Sequence, residues 1–351
     1  MPRYAIISDQ HFGVNGDSEF FHKNYRLFYR NVFHPAIAEK RVDAVLIPGD
    51  LWQSRKAINP LSADLAHKEF FKPLQEAGIP VYIAYGNHDV YYKNTNTVNS
   101  IDFIGEMYDN VTVVPEFKVL DGGVSLVSWI TDDNGEVIWG HIDSTDSRFL
   151  VGHFEIAGHM MTPGYACEHG VPKDRFKKFA KVISGHFHVR GNDGKIFYTS
   201  NPSQTTWADW GQEKGFHILD TSDGSLEPVN NPYEVYAVYS YADDSVFTPD
   251  DAKEYADKIV KIVITAYQRH DPVKLKAFIT DMQAVAERVT VVETEKFDGT
   301  SELVVNGNVA AVSVKDVIID YAKAESPAEH VDAVVAHLET LHQKAVEKWT
   351  P

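Results

Sequence analysis

Five short motifs recur in order along the chain: Asp9-Gln10-His11, Gly49-Asp50, Gly86-Asn87-His88-Asp89, Gly152-His153 and Gly185-His186-Phe187-His188. Each supplies a carboxylate, an amide oxygen or an imidazole. Oxygen and nitrogen donors without thiolate suit Mn²⁺, Fe²⁺ or Zn²⁺ better than Ca²⁺, and several imidazoles are unusual for Mg²⁺. The chemistry such a set serves is metal-assisted hydrolysis. Asp50 is the best candidate for a carboxylate bridging two ions about 3.5–4 Å apart. In an extended Asp-x-His or His-x-His segment, residues two apart point to one side, so both reach one cleft. A glycine ahead of each loop ligand is expected to let the backbone turn sharply off its strand. A single fragment of this kind is weak, because a lone histidine at a strand end is usually a hydrogen-bonded structural residue. Five in order reverse those odds.

Apolar runs lead into the motifs: YAIIS before Asp9, DAVLIP before Gly49, VYIAY before Gly86, FLV before Gly152 and KVIS before Gly185. Helical patterns over residues 20–40 and 60–77 separate the first three runs, so the opening reads as βαβαβ. After Pro115 the strands come closer together (VSLVSWI, FLVGH, KVISGH, IFYTS, GFHIL), which predicts a mixed sheet or two packed sheets in an α/β chain. Open α/β sheets place ligands at the carboxyl ends of their strands, where these motifs fall.

The turn-rich TSDGSLEPVNNP predicts a boundary, and beyond it EVYAVYSY, KIVKIVITAY and VTVVETE read as strands. Two capped helices separate them, opening at Thr248-Pro249-Asp250-Asp251 and Asp271-Pro272. The expected organisation is a main domain over residues 1–225, a smaller α/β capping domain over 226–305 and a helical tail over 306–351. In the tail, Ser313 to Asp316 and Ser326, Pro327 and Glu329 fit capping boxes. Val331, Val334, Val335, Leu338, Leu341, Ala345 and Trp349 then share one helical face, which either docks on this protein's own body or binds a partner.

With 351 residues, 44% hydrophobic and 24% charged, the composition excludes a disordered or fibrous chain. No run approaches the roughly 20 apolar residues that cross a bilayer, and MPRYAIISD enters a strand directly, which predicts a cytoplasmic protein. A single cysteine, Cys167, excludes an internal disulfide framework and a thiolate zinc cage. A net charge of −17 argues against coating nucleic acid by bulk electrostatics, although bound divalent cations would supply positive charge where a phosphate must sit.

Taken together, the five motifs resemble the calcineurin-like metallophosphoesterase family over roughly residues 1–220. The resemblance implies a mixed β-sandwich flanked by helices and a two-metal centre. One ion would be held by Asp9, His11, Asp50 and His188, the other by Asp50, Asn87, His153 and His186. His88 matches the family's catalytic histidine, which contacts the phosphate or protonates the leaving oxygen, while Asp89 orients its loop. Serine/threonine phosphatases of the family carry Gly-Asp-x-Val-Asp-Arg-Gly and Gly-Asn-His-Glu; here the segment is GDLWQSRKAINP and the tetrad ends in Asp89. That tetrad with Gly-His-Phe-His is similar to the nuclease subunit of the SbcCD-type double-strand-break repair complex. GNHDVYYKN, SGHFHVRGN and NPSQTTWADWGQEKGFHILD resemble the SbcD-like recombination nucleases of tailed bacteriophages.

This branch implies two divalent ions, Mn²⁺ first with Mg²⁺ able to replace it, 3′→5′ degradation of duplex DNA ends and nicking of single strands. It also implies an SbcC-like coiled-coil ATPase gripped by the C-terminal helices, and a homodimer. Arg55, Lys56, Lys93 and Arg190 lie beside ligand loops and are the candidate contacts to the DNA backbone. One departure is Gln53, where cellular members often carry a histidine three residues after the bridging aspartate; their balance of exonuclease and endonuclease cleavage therefore does not transfer. Two rival readings share the site: a small-substrate phosphatase or cyclic-nucleotide phosphodiesterase, and a DNA-end-binding scaffold without chemistry, against which the intact ligand set speaks.

Overall fold

The computed structural model describes residues 1–242, 244–265 and 270–294, together with position 335. Apart from that position, these residues lie in one compact unit, Met1–Asp298. Apart from position 335, the residues of the expected 306–351 tail helices fall outside the described residues.

Strands β1 (Arg3–Ile6), β2 (Ala44–Ile47), β3 (Val81–Ala84), β4 (Val111–Val114), β13 (Gly215–Asp220) and β14 (Ser225–Asn230) form one six-stranded sheet in the order 14-13-1-2-3-4. Strands β5 (Phe117–Leu120), β6 (Val124–Val127), β7 (Phe149–His153), β10 (Lys181–Gly185), β11 (Gly191–Asn192) and β12 (Ile196–Tyr198) form a second in the order 11-12-10-7-6-5. A small hairpin, β8 (Met160–Thr162) and β9 (Tyr165–Ala166), stands apart from both. The ligand-bearing strands are central and parallel, β1 beside β2, β2 beside β3 and β7 beside β10, so their carboxyl ends gather on one side of each sheet.

Strand alternation explains why the sheets stack. Tyr4 and Ile6, Ala44 and Leu46 from the first sheet meet Phe149, Val151 and Ile183 from the second in a shared core. The intervening Ala5, Val45 and Ile47 face the opposite way, onto Phe28, Phe33, Phe70 and Leu74 of the helices. On the second sheet Leu150 and Val182 face outward onto Ile138, Ile142, Phe176 and Phe179. Residues two apart share a face, so each strand serves two cores. Each large apolar side chain sealed this way contributes roughly 1.5–3 kcal/mol. The result is the mixed β-sandwich flanked by helices, with two packed sheets rather than one.

The helices expected over residues 20–40 and 60–77 are present, and each contains a widened π turn. Glu19–Phe28 runs through Tyr29–Phe33 into His34–Glu39, and Pro60–Ala66 through His67–Phe71 into Lys72–Glu76. Each wide turn leads into a proline, Pro35 or Pro73, whose missing N–H and ring disrupt the bond to the carbonyl four residues back. For Pro73 that carbonyl belongs to Glu69, and it accepts a 2.6 Å bond from His34 Nε2 on the other helix. The Glu69 carboxylate meanwhile holds Arg30 at 2.6 and 2.5 Å. The proline irregularity of one helix thus becomes its joint to the other.

Beyond β14, three parallel strands, β15 (Tyr236–Tyr241), β16 (Ile259–Thr265) and β17 (Arg288–Thr294), form a separate sheet. Helices Pro249–Glu254 and Pro272–Val285 connect them, capped by Thr248 and Asp271 as their sequences predict. This sheet has its own core of Val260, Ile262, Ile264, Leu275, Phe278 and Met282. Val235, Tyr236 and Ile259 belong to the core beneath the first sheet. Gln204 Oε1 also accepts the amides of Val235 and Tyr236 at 2.8 and 3.0 Å. No helix among the described residues is long and apolar enough to cross a membrane.

Candidate metal centre

The five motifs converge. Asp9, His11 and His188 place one donor atom each within 4.8 Å of one another, and Asp50, His153 and His186 do the same beside them. Asp50 Oδ2 lies between the groups, 3.6 Å from His11 Nε2 and 3.4 Å from His153 Nε2. Asn87 Oδ1 completes the second group at 3.0 Å from His153 Nε2 and 2.8 Å from His186 Nδ1.

The donor geometry fits two cations. His11 Nε2 faces His188 Nε2 at 3.1 Å, and His186 Nδ1 faces His153 Nε2 at 3.3 Å. Two ring nitrogens this close, ringed by carboxylate and amide oxygens, require a proton or a cation between their lone pairs. One divalent ion at each pair, with the Asp50 oxygen shared between them, would satisfy these donors.

The loops that carry these side chains are curled rather than extended, which corrects the expectation of same-side alternation. Asp9, His11, Asp50 and His186 all have left-handed backbone, with φ of 53°, 47°, 55° and 87°. Such residues are uncommon, and four of the nine non-glycine cases among the described residues sit here, so the strain is concentrated at the site. The curl is held by backbone bonds: Asp9 N donates to Gly49 O and His11 N to Asp50 O, each at 3.1 Å. The Asp9 carboxylate accepts His186 N at 3.0 and 3.1 Å, tying β1's loop to β10's.

The glycines also act differently from expectation. Only Gly49 needs a positive φ, 139°, among those preceding the ligands. At Gly86 a side chain would run into Asp50, and at Gly185 into Ser8 and Asp9, so these positions are glycine because neighbouring ligand loops touch them.

The carboxylate of Asp89 is engaged by backbone amides. Fully buried, it accepts the amides of Asp50 and Gly86 at 2.8 Å, Leu51 at 3.0 Å and Trp52 at 3.2 Å, clamping the loops that carry Asp50 and His88. Burial and then the adjacent Asp50 push its carboxyl up to about 7, against the amides of Gly86 and Trp52. Burial also works to raise Asp50, but His153 outweighs it and holds that carboxyl well below the ordinary carboxylate range. His153 responds in kind: burial disfavours its charge, yet Asp50 raises it to about 9. His11 goes the other way, pushed by burial to about 3 despite Asp50.

His88 is half-exposed at the edge of the centre. Its amide donates to Asp50 Oδ1 at 2.8 Å, its ring stands edge-on to His11 at 4.9 Å, and Nδ1 lies 2.9 Å from Gln53 O. A carbonyl only accepts, so Nδ1 carries the proton and Nε2 is left for a substrate. The Gln53 position thus acts on His88 through its backbone.

Of the candidate DNA contacts, Lys56 and Lys93 are exposed and Arg55 is half-buried. Arg190 is turned inward instead. Its side chain is 13% exposed and engages Glu213 at 3.3 Å and Asn230 at 2.5 Å. The motifs did not reveal several supporting residues. Glu155 bonds His186 Nε2 at 2.9 Å, and His186 in turn lowers the Glu155 carboxyl. Trp129 lies 5.3 Å from the His186 ring. Lys214 donates to His188 O at 2.8 Å and to buried Asp209 at 2.5 Å. The one available signal was spacing: Glu155 follows His153 by two residues.

A family model described as calcineurin-like phosphoesterase matches residues 2–190. Exonuclease subunit 1 of Enterobacteria phage T4 is 26% identical over 324 residues, covering 91% of this chain and 91% of that protein. Among solved structures, an archaeal phosphodiesterase (12% identity, 65% of this chain and 99% of that one, TM-score 0.33) is similar to this chain. So is the Pseudomonas putida nuclease MPE (16% identity, 64% and 87%, TM-score 0.31). The chain belongs to the calcineurin-like phosphoesterase family and is a metal-dependent hydrolase.

Proposed function

We propose that this calcineurin-like phosphoesterase is the nuclease subunit of a DNA-end-processing assembly, degrading duplex ends 3′→5′ and nicking single strands. The observation that carries the reading is the sharing of Asp50 Oδ2 between two donor groups, with half-exposed His88 beside them. The T4 protein is named an exonuclease subunit and matches nearly end to end, which supports both a DNA substrate and a partner subunit.

Asp9, His11, Asp50 and His188 would hold one ion, and Asp50, Asn87, His153 and His186 the other. When bound, two such cations neutralise the phosphate oxygens and activate a water at neutral pH. Mn²⁺ suits the mixed oxygen and imidazole set, with Mg²⁺ able to replace it. The Gln53 carbonyl holds the Nδ1–H of His88 so that Nε2 faces the substrate, and His88 entering the step as the imidazolium would give its Nε2 proton to the departing 3′-oxygen and end as the neutral Nδ1–H ring. Lys56 and Lys93, both exposed, with half-buried Arg55, would meet the DNA backbone. The three-stranded sheet caps the nuclease domain, and the tail beyond it grips an SbcC-like ATPase.

End-labelled linear duplex is digested with Mn²⁺, with Mg²⁺ and with chelator, in parallel with nitrophenyl phosphodiesters and cyclic nucleotides. The expected result is metal-dependent loss from 3′ ends, slowed roughly 10²–10⁴-fold by His88→Ala with metal binding retained. Hydrolysis of the small esters with intact duplex would overturn the nuclease reading.

A further inference from the structure

His186 is the unusual ligand of the centre. His11, His153 and His188 approach the other donors through Nε2, whereas His186 uses Nδ1, 2.8 Å from Asn87 Oδ1 and 3.3 Å from His153 Nε2. Its Nε2 is therefore on the far side of the ring, where Glu155 Oε1 lies at 2.9 Å. A carboxylate in that place cannot reach the ion. It can only act through the imidazole.

Glu155 is also held where it stands. On either side of it, Phe154 N donates to Ser184 Oγ and Ile156 N to the Tyr198 hydroxyl, both at 3.0 Å. Its own carbonyl accepts Val171 N at 2.7 Å. The carboxylate is thus presented from a backbone locked to β10 and β12, while half of the side chain remains in solvent, which limits the cost of burying its charge. His11 Nδ1 and His153 Nδ1, the corresponding back nitrogens, are buried with no partner. Those two rings are fixed by close packing. His186, more open than they are, needs a polar anchor.

We propose that Glu155 is the positioning residue for the second ion: by accepting the Nε2–H of His186 it fixes the ring's rotation and tautomer, so that the Nδ1 lone pair faces Asn87 and His153. This rests on the two-ion reading above. An anionic acceptor behind a ligand imidazole raises the basicity of the ligating nitrogen and removes the alternative ring flip. Within the second group the two imidazoles are then seated by different means, His153 by the core and His186 by a partly solvated carboxylate.

Full-length protein stripped of metal is titrated with Mn²⁺ by calorimetry, and imidazole ¹H–¹⁵N correlation spectra are recorded on the metal-free chain. Glu155→Ala is expected to weaken the second ion roughly 10–100-fold while leaving the first, and to remove the hydrogen-bonded Nε2–H signal of one ring. Glu155→Gln, which keeps an acceptor oxygen without the charge, retains the signal and most of the affinity. The proposal is overturned if Glu155→Ala keeps the Nε2–H signal and wild-type affinity for the second ion. It is equally overturned if Glu155→Gln falls as far as alanine. A wild-type chain that takes up one ion only would sink the two-ion reading, and the ring signal in the metal-free protein would still decide whether Glu155 holds His186.

Discussion

The two halves of the metal centre are built by different means. Left-handed backbone is common to both halves, but Asp9 and His11 are further set by amide bonds to Gly49 and Asp50 and by burial that makes the His11 ring neutral. The Asp50, His153 and His186 half depends on polar side chains behind the ligands, with Asp89 under Asp50 and Glu155 behind His186. The difference teaches that Asp9 and His11 are as stable as the fold around them, whereas Asp50 and His186 answer to single polar groups. His188 lies between these cases, since its carbonyl is held by Lys214 and Ser200 at 2.8 and 2.7 Å.

The largest expected effect follows from that last contact. Lys214→Met leaves Asp209 buried without its cation, and breaking such a pair costs about 3–5 kcal/mol. Urea unfolding of the variant should show that loss, and Mn²⁺ titration should show the first ion weakened more than the second. Equal weakening of both would erase the distinction between the halves.

A smaller effect concerns protons. In the metal-free chain His153 keeps its proton up to about 9, because Asp50 outweighs burial, whereas His11 is neutral above about 3. An ion entering the second half must displace that proton, so its affinity should fall about tenfold per pH unit below about 9. The first ion should be far less sensitive between pH 6 and 8. Calorimetry in buffers of different ionisation enthalpy measures this directly, and equal proton release by both ions would contradict it. The same raised group carries a stability term of definite sign. In metal-free protein it is fully present below the ordinary value of 6.5 and is lost as pH rises through about 9.

Much of this centre was legible in the sequence, for a physical reason. Asp9, Asp50, Asn87, His153 and His186 each close an apolar run, and parallel strands must deliver their carboxyl ends to one place. The double sandwich followed from the same runs, because strands such as AVLI are apolar on both faces and need cover on both. What stayed hidden depends on contacts between distant segments. Gly86 and Gly185 read as turn residues, yet crowding by Asp50 and Ser8 explains them. Arg190 reads as a surface cation beside a ligand, yet Glu213 and Asn230 draw it inward. The π turns could be anticipated from Pro35 and Pro73, but not the bond from His34 that fills the opened carbonyl of Glu69. Glu155 had only its spacing from His153, and no local rule says that a carboxylate there will meet a ring thirty-one positions further on.

The central claim is that one carboxylate, Asp50, joins two metal ions. Anomalous diffraction from crystals of the full chain grown with Mn²⁺ tests it most directly. The account predicts two peaks about 3.5–4 Å apart, with Asp50 Oδ2 between them, one against Asp9, His11 and His188 and the other against Asn87, His153 and His186. A single peak, or two peaks that do not share Asp50, would contradict it.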